Sequence, residues 1–175
     1  MNIEKLSSHH NLLYFDSGQG DLNEFLKENS LEQMKAMVNV THLCLLDRKI
    51  IAFFTISADR IETEKIPAEY EQKLIEKGIE YKSLPALKLG RLAVDQRFQN
   101  QGYGTYLLKE LILKCIQLSE NIGIRFITVD AYVSSLKFYE MNYFKILPGY
   151  EKRISQKNHS KTATVPMYFD LYGVK

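Results

Sequence analysis

The sequence predicts a mixed α/β domain with a largely antiparallel sheet, on three observations. Runs rich in β-branched and aromatic residues alternate with helical patterns along the chain. Two of these runs, 40–46 and 50–57, flank the polar cluster Asp47-Arg48-Lys49 and read as an antiparallel hairpin. A long strand pattern, 84–94, leads through a Gly-containing loop into the most periodic helix of the chain. The chain has 175 residues. Domains usually run about 100–200 residues, so one domain, 1–175, is expected.

The elements follow in order. Residues 3–6 form a short strand. Asp21 and Glu24 have capping-box spacing, ahead of one or two short helices marked by Leu22, Phe25, Leu26, Met34, Met37 and Val38. Residues 60–82 interrupt the strand pattern. Pro67 stands near the start of a helix with Tyr70, Leu74 and Ile75, and Gly78 stops it, so this charged segment is read as a surface helical insertion. Gly90 lies inside the 84–94 strand, where a bulge or a close backbone approach is expected. After the polar turn 95–104, Leu107, Leu108, Leu111, Cys115 and Leu118 form one continuous helical stripe. Gly123 precedes a strand at 126–131. Ser134 or Ser135 caps a short helix, 136–141, and strands follow near 144–147 and 165–170.

Composition excludes several classes. The formal net charge is +2, which argues against a polyanion-binding tail or an acidic disordered segment. The charge is divided unevenly, however. Residues 1–80 carry 9 Lys and Arg against 14 Asp and Glu, a net of −5; residues 81–175 carry 14 against 7, a net of +7. Cys44 and Cys115 cannot make a disulfide framework and lie in apolar patterns, as buried free cysteines do. The longest uncharged stretches, 36–46 and 98–108, have eleven residues, short of the ~18 a membrane span needs. Met1-Asn2-Ile3-Glu4-Lys5 lacks a signal peptide's apolar core, so a cytoplasmic location without membrane contact is expected. His9 and His10 have no third ligand nearby, and no metal is expected. His42 alternates along a strand and reads as a packed histidine rather than a base.

The chemistry concentrates in 89–108. A strand, a loop with Gly102 and Gly104, and a long helix follow one another. Helix N-termini present unpaired N–H groups and the positive end of the macrodipole to phosphates. No GxxxxGK[ST] occurs, and Leu107 stands where a dinucleotide fingerprint needs its third glycine. A bare G-x-G before a helix is equally well a tight turn.

The longer pattern is more specific. Gln99-Asn100-Gln101-Gly102-Tyr103-Gly104 fits Q/R-x-x-G-x-G/A, and Leu92-Ala93-Val94 precedes it. About thirty residues on stands Phe138-Tyr139-Glu140-Met141-Asn142-Tyr143-Phe144. These segments resemble the two signatures of the GCN5-related N-acetyltransferase (GNAT) family, over roughly residues 40–170. The resemblance implies a central mixed, mostly antiparallel sheet, splayed between its fourth and fifth strands and flanked by helices. It further implies acetyl-CoA as co-substrate. The backbone of Leu92, Ala93 and Val94 would pair with the pantetheine arm. The N–H groups of Gln99, Asn100, Gln101, Gly102, Tyr103, Gly104 and Thr105 would hold the pyrophosphate, and Ser135 and Phe138 would lie along the cofactor. Tyr139 matches the tyrosine that acts as general acid; its alternative is a packed aromatic. Tyr143 stands where the family often has glycine, so the turn there is expected to rely on Asn142 for a left-handed residue.

The implied reaction is attack of a primary amine on the thioester carbonyl, polarised by the backbone N–H near Val94. Tyr139, with a reference pKa of about 10, would protonate a thiolate of pKa about 8.5. The sequence selects no general base. For the acceptor, Lys137, Lys145, Lys152, Arg153, Lys157, Lys161 and His159 face only Glu140 and Glu151 between 137 and 161. This is either a solvated basic face or a groove for an anionic acceptor. The main reading is a small-molecule or peptide amine. The chain is also similar to the acetyltransferase toxins of toxin–antitoxin pairs, through Asp21-Leu22-Asn23-Glu24-Phe25-Leu26, Leu89-Gly90-Arg91-Leu92-Ala93-Val94-Asp95 and Phe138-Tyr139. That similarity implies aminoacyl-tRNA as acceptor, an antitoxin partner and a homodimer, with Arg91 toward the acceptor. A non-catalytic CoA-binding regulatory module is the third reading.

Overall fold

Turn chemistry sets the first hairpin. In the computed structural model, which describes residues 1–151 and 163–172, β2 (Val40–Leu46) turns into β3 (Lys49–Glu62) through Asp47 and Arg48, at φ 48° and 65°. Two successive left-handed residues give the turn whose twist suits antiparallel strands. The strand β1 (Asn2–Lys5) pairs antiparallel to β2, with Asn2 opposite Leu45. The remaining strands are β4 (Ser83–Val94), β5 (Phe126–Tyr132), β6 (Lys145–Ile146) and β7 (Thr164–Asp170). Among the described residues the sheet order is β1-β2-β3-β4-β5-β7-β6, and β7 is antiparallel to both β5 and β6.

The chain divides into two compact units, Met1–Ser57 with Leu89–Leu111, and Ala58–Lys88 with Ile112–Lys175. In the first, helix α1 (Gly20–Glu24) runs through a π turn, Phe25–Asn29, into α2 (Ser30–Lys35). Leu22, Phe25 and Leu26 bury against Leu6, Phe15, Leu43, Phe53 and Ala93. Phe53 takes Phe15 edge-on at 5.5 Å and stacks with Phe25 at 6.2 Å. Each such side chain contributes about 2–3 kcal/mol of burial. The expected capping box does not form. The N-cap is Gln19, without a side-chain cap bond, so Asp21 lies inside the first turn. Met37 and Val38 are 91% and 60% exposed, not part of the buried face.

In the second unit, β3 continues past the expected end of its strand. Ile61, Ile66 and Leu74 form a core with Leu84, Ala86, Phe126, Leu147 and Tyr168. The 60–82 segment thus carries the expected helix, α3 (Ala68–Ile75), and also buries three side chains. Gly78, at φ 70°, closes α3 with two reverse bonds, Ile79 N–H to Leu74 O and Gly78 N–H to Ile75 O. Helix α4 (Tyr103–Leu118) buries Leu107, Leu108, Leu111 and Cys115 and half-buries Leu118. Burial pushes the thiols up, Cys44 to about 11 and Cys115 to about 12. Helix α5 is Leu136–Met141; Ser135 precedes it, but neither Ser134 nor Ser135 gives the expected cap, since the N-cap makes no side-chain bond. No helix among the described residues is long and apolar enough to cross a membrane.

Gly90 is a close approach. A Cβ there would stand 2.8 Å from Thr55 Oγ1, on a buried, β-branched side chain that cannot swing aside. Gly90→Ala is therefore expected to cost about 1–3 kcal/mol by overpacking. Adding Thr55→Ala should recover part of that loss. Urea midpoints read both, and an unshifted Gly90→Ala midpoint would refute the contact.

Candidate acetyl-transfer site

In the first unit, the strand that leads to the loop ends in a knot at Asp95. Its carboxylate is fully buried. Oδ1 accepts from Arg97 N–H at 3.0 Å and Arg97 Nε at 2.8 Å; Oδ2 accepts from Arg97 Nη2 at 2.8 Å and Asp16 N–H at 3.1 Å. Asp95 N–H donates to Ile51 O at 2.8 Å. The Arg97 side chain, above all, holds the Asp95 carboxyl below the usual carboxylate range. Asp95 also caps a single 3₁₀ turn, Gln96–Phe98. The polar turn was legible in the sequence, but Asp95 was not singled out; the D-x-R spacing, which lets a carboxylate take both the N–H and the guanidinium two residues on, is the signal that could have found it.

The loop that follows is held by its own amides. Gln99 Nε2 donates to Val94 O and Ser17 O, both at 2.9 Å. Gln101 Nε2 donates to Arg97 O at 3.1 Å. Gln99, first residue of the signature, therefore ties the loop to the strand end with its side chain. The Val94 carbonyl keeps a second lone pair beyond the one Gln99 uses. Asn100 and Gly102 are left-handed, at φ 60° and 85°, and α4 starts at Tyr103. A Cβ on Gly102 would point into open space. Its first turn presents N–H groups with no acceptor inside the helix. Left-handed residues on either side of Gln101, the second an open glycine, followed by a sixteen-residue helix, suit a phosphate chain. Phe98 meets Tyr103 edge-on at 6.1 Å, fixing the loop's two ends. Leu92, Val94, Tyr103, Gly104 and Thr105 are half-buried and Ala93 is buried. Arg91 lies over the Phe25 ring, 3.7 Å from its centroid, a cation–π contact supplied by the π turn.

In the second unit, Tyr139 lies on α5, 6% exposed. Phe138 and Phe144 pack edge-on against it at 5.1 and 5.5 Å. Burial alone pushes the Tyr139 phenol well above its ordinary value. The turn after α5 differs from expectation. Asn142 is not left-handed, at φ −103°, and Tyr143 is, at φ 67°. The reason lies in the helix ending. Phe144 N–H bonds Tyr139 O and Tyr143 N–H bonds Glu140 O, each at 3.0 Å, which puts Tyr143 at the position a glycine usually fills. Asn142 instead buries its amide, and Nδ2 donates to Phe138 O at 2.8 Å. Ser135 and Phe138 are half-buried.

Other candidates resolve locally. His10 Nε2 meets Glu4 Oε1 at 2.9 Å and its Nδ1 meets Ser7. His42 is buried and stacked on Phe54 at 4.9 Å. Among the described residues no group of three His, Cys, Asp or Glu could hold a metal ion. Lys137 and Lys145 are exposed, while Lys152, Arg153, Lys157, His159 and Lys161 lie outside the described residues.

The Asp95 knot makes a testable demand. Asp95→Ala removes the acceptor of four bonds and is expected to cost roughly 1.5–3 kcal/mol; Asp95→Asn, which keeps one carbonyl acceptor, should cost less. Because the folded carboxyl titrates lower than the unfolded one, its contribution is full above about pH 4 and fades as pH falls below that. Denaturant midpoints across pH 2–7 check this. A loss for Asp95→Ala that is the same at both ends of the range would contradict it.

The comparisons agree with the geometry. A profile of the acetyltransferase (GNAT) domain matches residues 22–168. A tRNA-acetylating toxin of Mycobacterium tuberculosis (strain ATCC 25618 / H37Rv) is 23% identical over 145 residues, 82% of this chain and 84% of that protein. Among solved structures, AtaT complexed with acetyl-methionyl-tRNAfMet has a TM-score of 0.80 and 24% identity, covering 99% of this chain and 96% of that one. A tyrosine-to-phenylalanine mutant of AtaT, bound to the C-terminus of the antitoxin AtaR and acetyl-CoA, has a TM-score of 0.72 and 24% identity, covering 97% and 92%. The fold is theirs, and with the family profile spanning most of its length, the chain belongs to the acetyltransferase (GNAT) family as an acetyl-CoA-dependent N-acetyltransferase.

Proposed function

We propose that the chain transfers the acetyl group to the amino group of an aminoacyl-tRNA, with Tyr139 as proton donor, and that an antitoxin peptide restrains it. The observation that carries the acceptor is similarity along nearly the whole chain to a tRNA-acetylating toxin and to AtaT in complex with acetyl-methionyl-tRNAfMet. The AtaR-bound structure supports the antitoxin partner in the same way. A small-molecule or peptide amine, the main reading from sequence alone, has no comparable support. The +7 balance of residues 81–175 suits a polyanionic acceptor.

Acetyl-CoA supplies a thioester, so one C–S bond breaks as one C–N bond forms. The residues divide the work. Left-handed Asn100 and Gly102 and the N-terminus of α4 hold the pyrophosphate by backbone N–H groups. The Val94 N–H polarises the thioester carbonyl. Tyr139 Oη gives its proton to the departing sulfur, and the amine's surplus proton leaves to water. Burial keeps the phenol protonated across the working pH range. The same desolvation raises the basicity of a thiolate beside it and so offsets part of the rise in the phenol, and the phenolate regains its proton from water.

Two measurements test this. In a cell-free translation reaction with acetyl-CoA, the wild-type chain should stop protein synthesis; unimpaired translation would overturn the tRNA reading. Tyr139→Phe keeps the ring packing and loses only the proton, so kcat should fall roughly 10²-fold. The wild-type rate should show no loss up to about pH 10, because the phenol titrates above its ordinary value. A Tyr139→Phe enzyme with the wild-type kcat would remove Tyr139 from the chemistry.

A further inference from the structure

We propose that Tyr143 is a stacking platform for a nucleobase of the RNA acceptor, an inference that rests on the aminoacyl-tRNA reading above. Three observations converge on it. First, Tyr143 closes α5 in the left-handed region, at φ 67°, with both reverse bonds of that ending formed. The same ending after α3 is made by Gly78 at φ 70°. Glycine adopts this conformation without strain and tyrosine does not.

Second, the side chain gives the fold nothing in return. Tyr143 is 81% exposed, while Tyr139 and Phe144, its aromatic neighbours in sequence, are 6% and 2% exposed. A strained, exposed aromatic ring is a cost to stability without a gain in packing, which points to function. Met37 shares the left-handed geometry at the end of α2, but a thioether has no face on which a base can stack.

Third, the surroundings suit a nucleic acid. Lys137 and Met141 stand four apart on α5, both exposed, so they share a face that ends next to Tyr143. Lys145 is exposed two residues beyond, with its Nζ 3.5 Å from Tyr70 Oη. Glu140 is the opposing carboxylate on α5. Every base offers a π face to an exposed aromatic, and nearby lysines meet the phosphates.

The test uses the full chain, with bulk aminoacyl-tRNA as the probe. Tyr143→Gly should raise the melting temperature by about 2–4 °C and raise the KM for aminoacyl-tRNA roughly tenfold, with no matching rise in the KM for acetyl-CoA. Tyr143→Phe keeps the ring and should stay within about twofold of wild type. A Tyr143→Gly chain with the wild-type KM for aminoacyl-tRNA overturns the inference. So does a lowered melting temperature, which would make the ring structural. A shift in sedimentation with KM unchanged would assign the ring to a protein interface and also overturn it. Failure of the tRNA reading is distinct: there the wild-type chain itself transfers no acetyl group to aminoacyl-tRNA.

Discussion

The arrangement of the segment proposed to bind the cofactor depends on one buried carboxylate. Asp95 is the last point at which the strand Ser83–Val94 is still part of the sheet region, through its N–H on Ile51 O. Its two oxygens then take four donors within the next two residues and from Asp16. A buried anion demands this degree of pairing, and the demand leaves the chain little freedom. It bends the strand end into a 3₁₀ turn and brings the 14–17 segment alongside, where Arg97 Nη2 reaches Tyr14 O and Gln99 reaches Ser17 O. The loop to α4 therefore starts from a fixed point, and a phosphate-binding turn built of backbone N–H groups needs such a start.

Tyr139 is held by different means. No charge fixes it; two aromatic edges and the backbone of the helix ending do. Its carbonyl receives N–H bonds from Asn142 and Phe144, each at 3.0 Å, so α5 stops where the hydroxyl-bearing residue is clamped. An apolar clamp suits the acid role proposed for Tyr139, which requires a phenol that stays neutral. A donor bonded to the phenol oxygen would lower its proton affinity.

Elements governed by local periodicity were legible in the sequence. The hairpin at Asp47-Arg48, the 84–94 strand, the Gly90 approach and the stripe from Leu107 to Cys115 follow from alternation, turn chemistry and helical spacing. What was not legible depends on partners distant in sequence or on competition between neighbours. Asp95 looks like any turn aspartate until Asp16, seventy-nine residues away, donates to it. Asp21 and Glu24 have capping spacing, yet the helix starts at Gly20 and the box has no place to form. Asn142 tolerates left-handed angles better than tyrosine does, but its buried amide is needed by Phe138 O, so the strain moves to Tyr143. Of the site itself, the glycine loop and Tyr139 were visible as motifs. The means by which each is held were not.

The charge division noted at the outset now has a chemical context. An acidic first half and a basic second half sum to a near-neutral chain, so total charge does not argue against a polyanionic acceptor. The central claim is that the acetyl group ends on the amino group of an aminoacyl-tRNA. The most direct measurement is mass spectrometry of the aminoacyl-adenosine released from the RNA 3′ end after reaction with acetyl-CoA. The account predicts a mass increase of one acetyl group, located on the amino nitrogen by fragmentation. An unmodified aminoacyl-adenosine, recovered while the same preparation consumes acetyl-CoA with a simple amine, would contradict it.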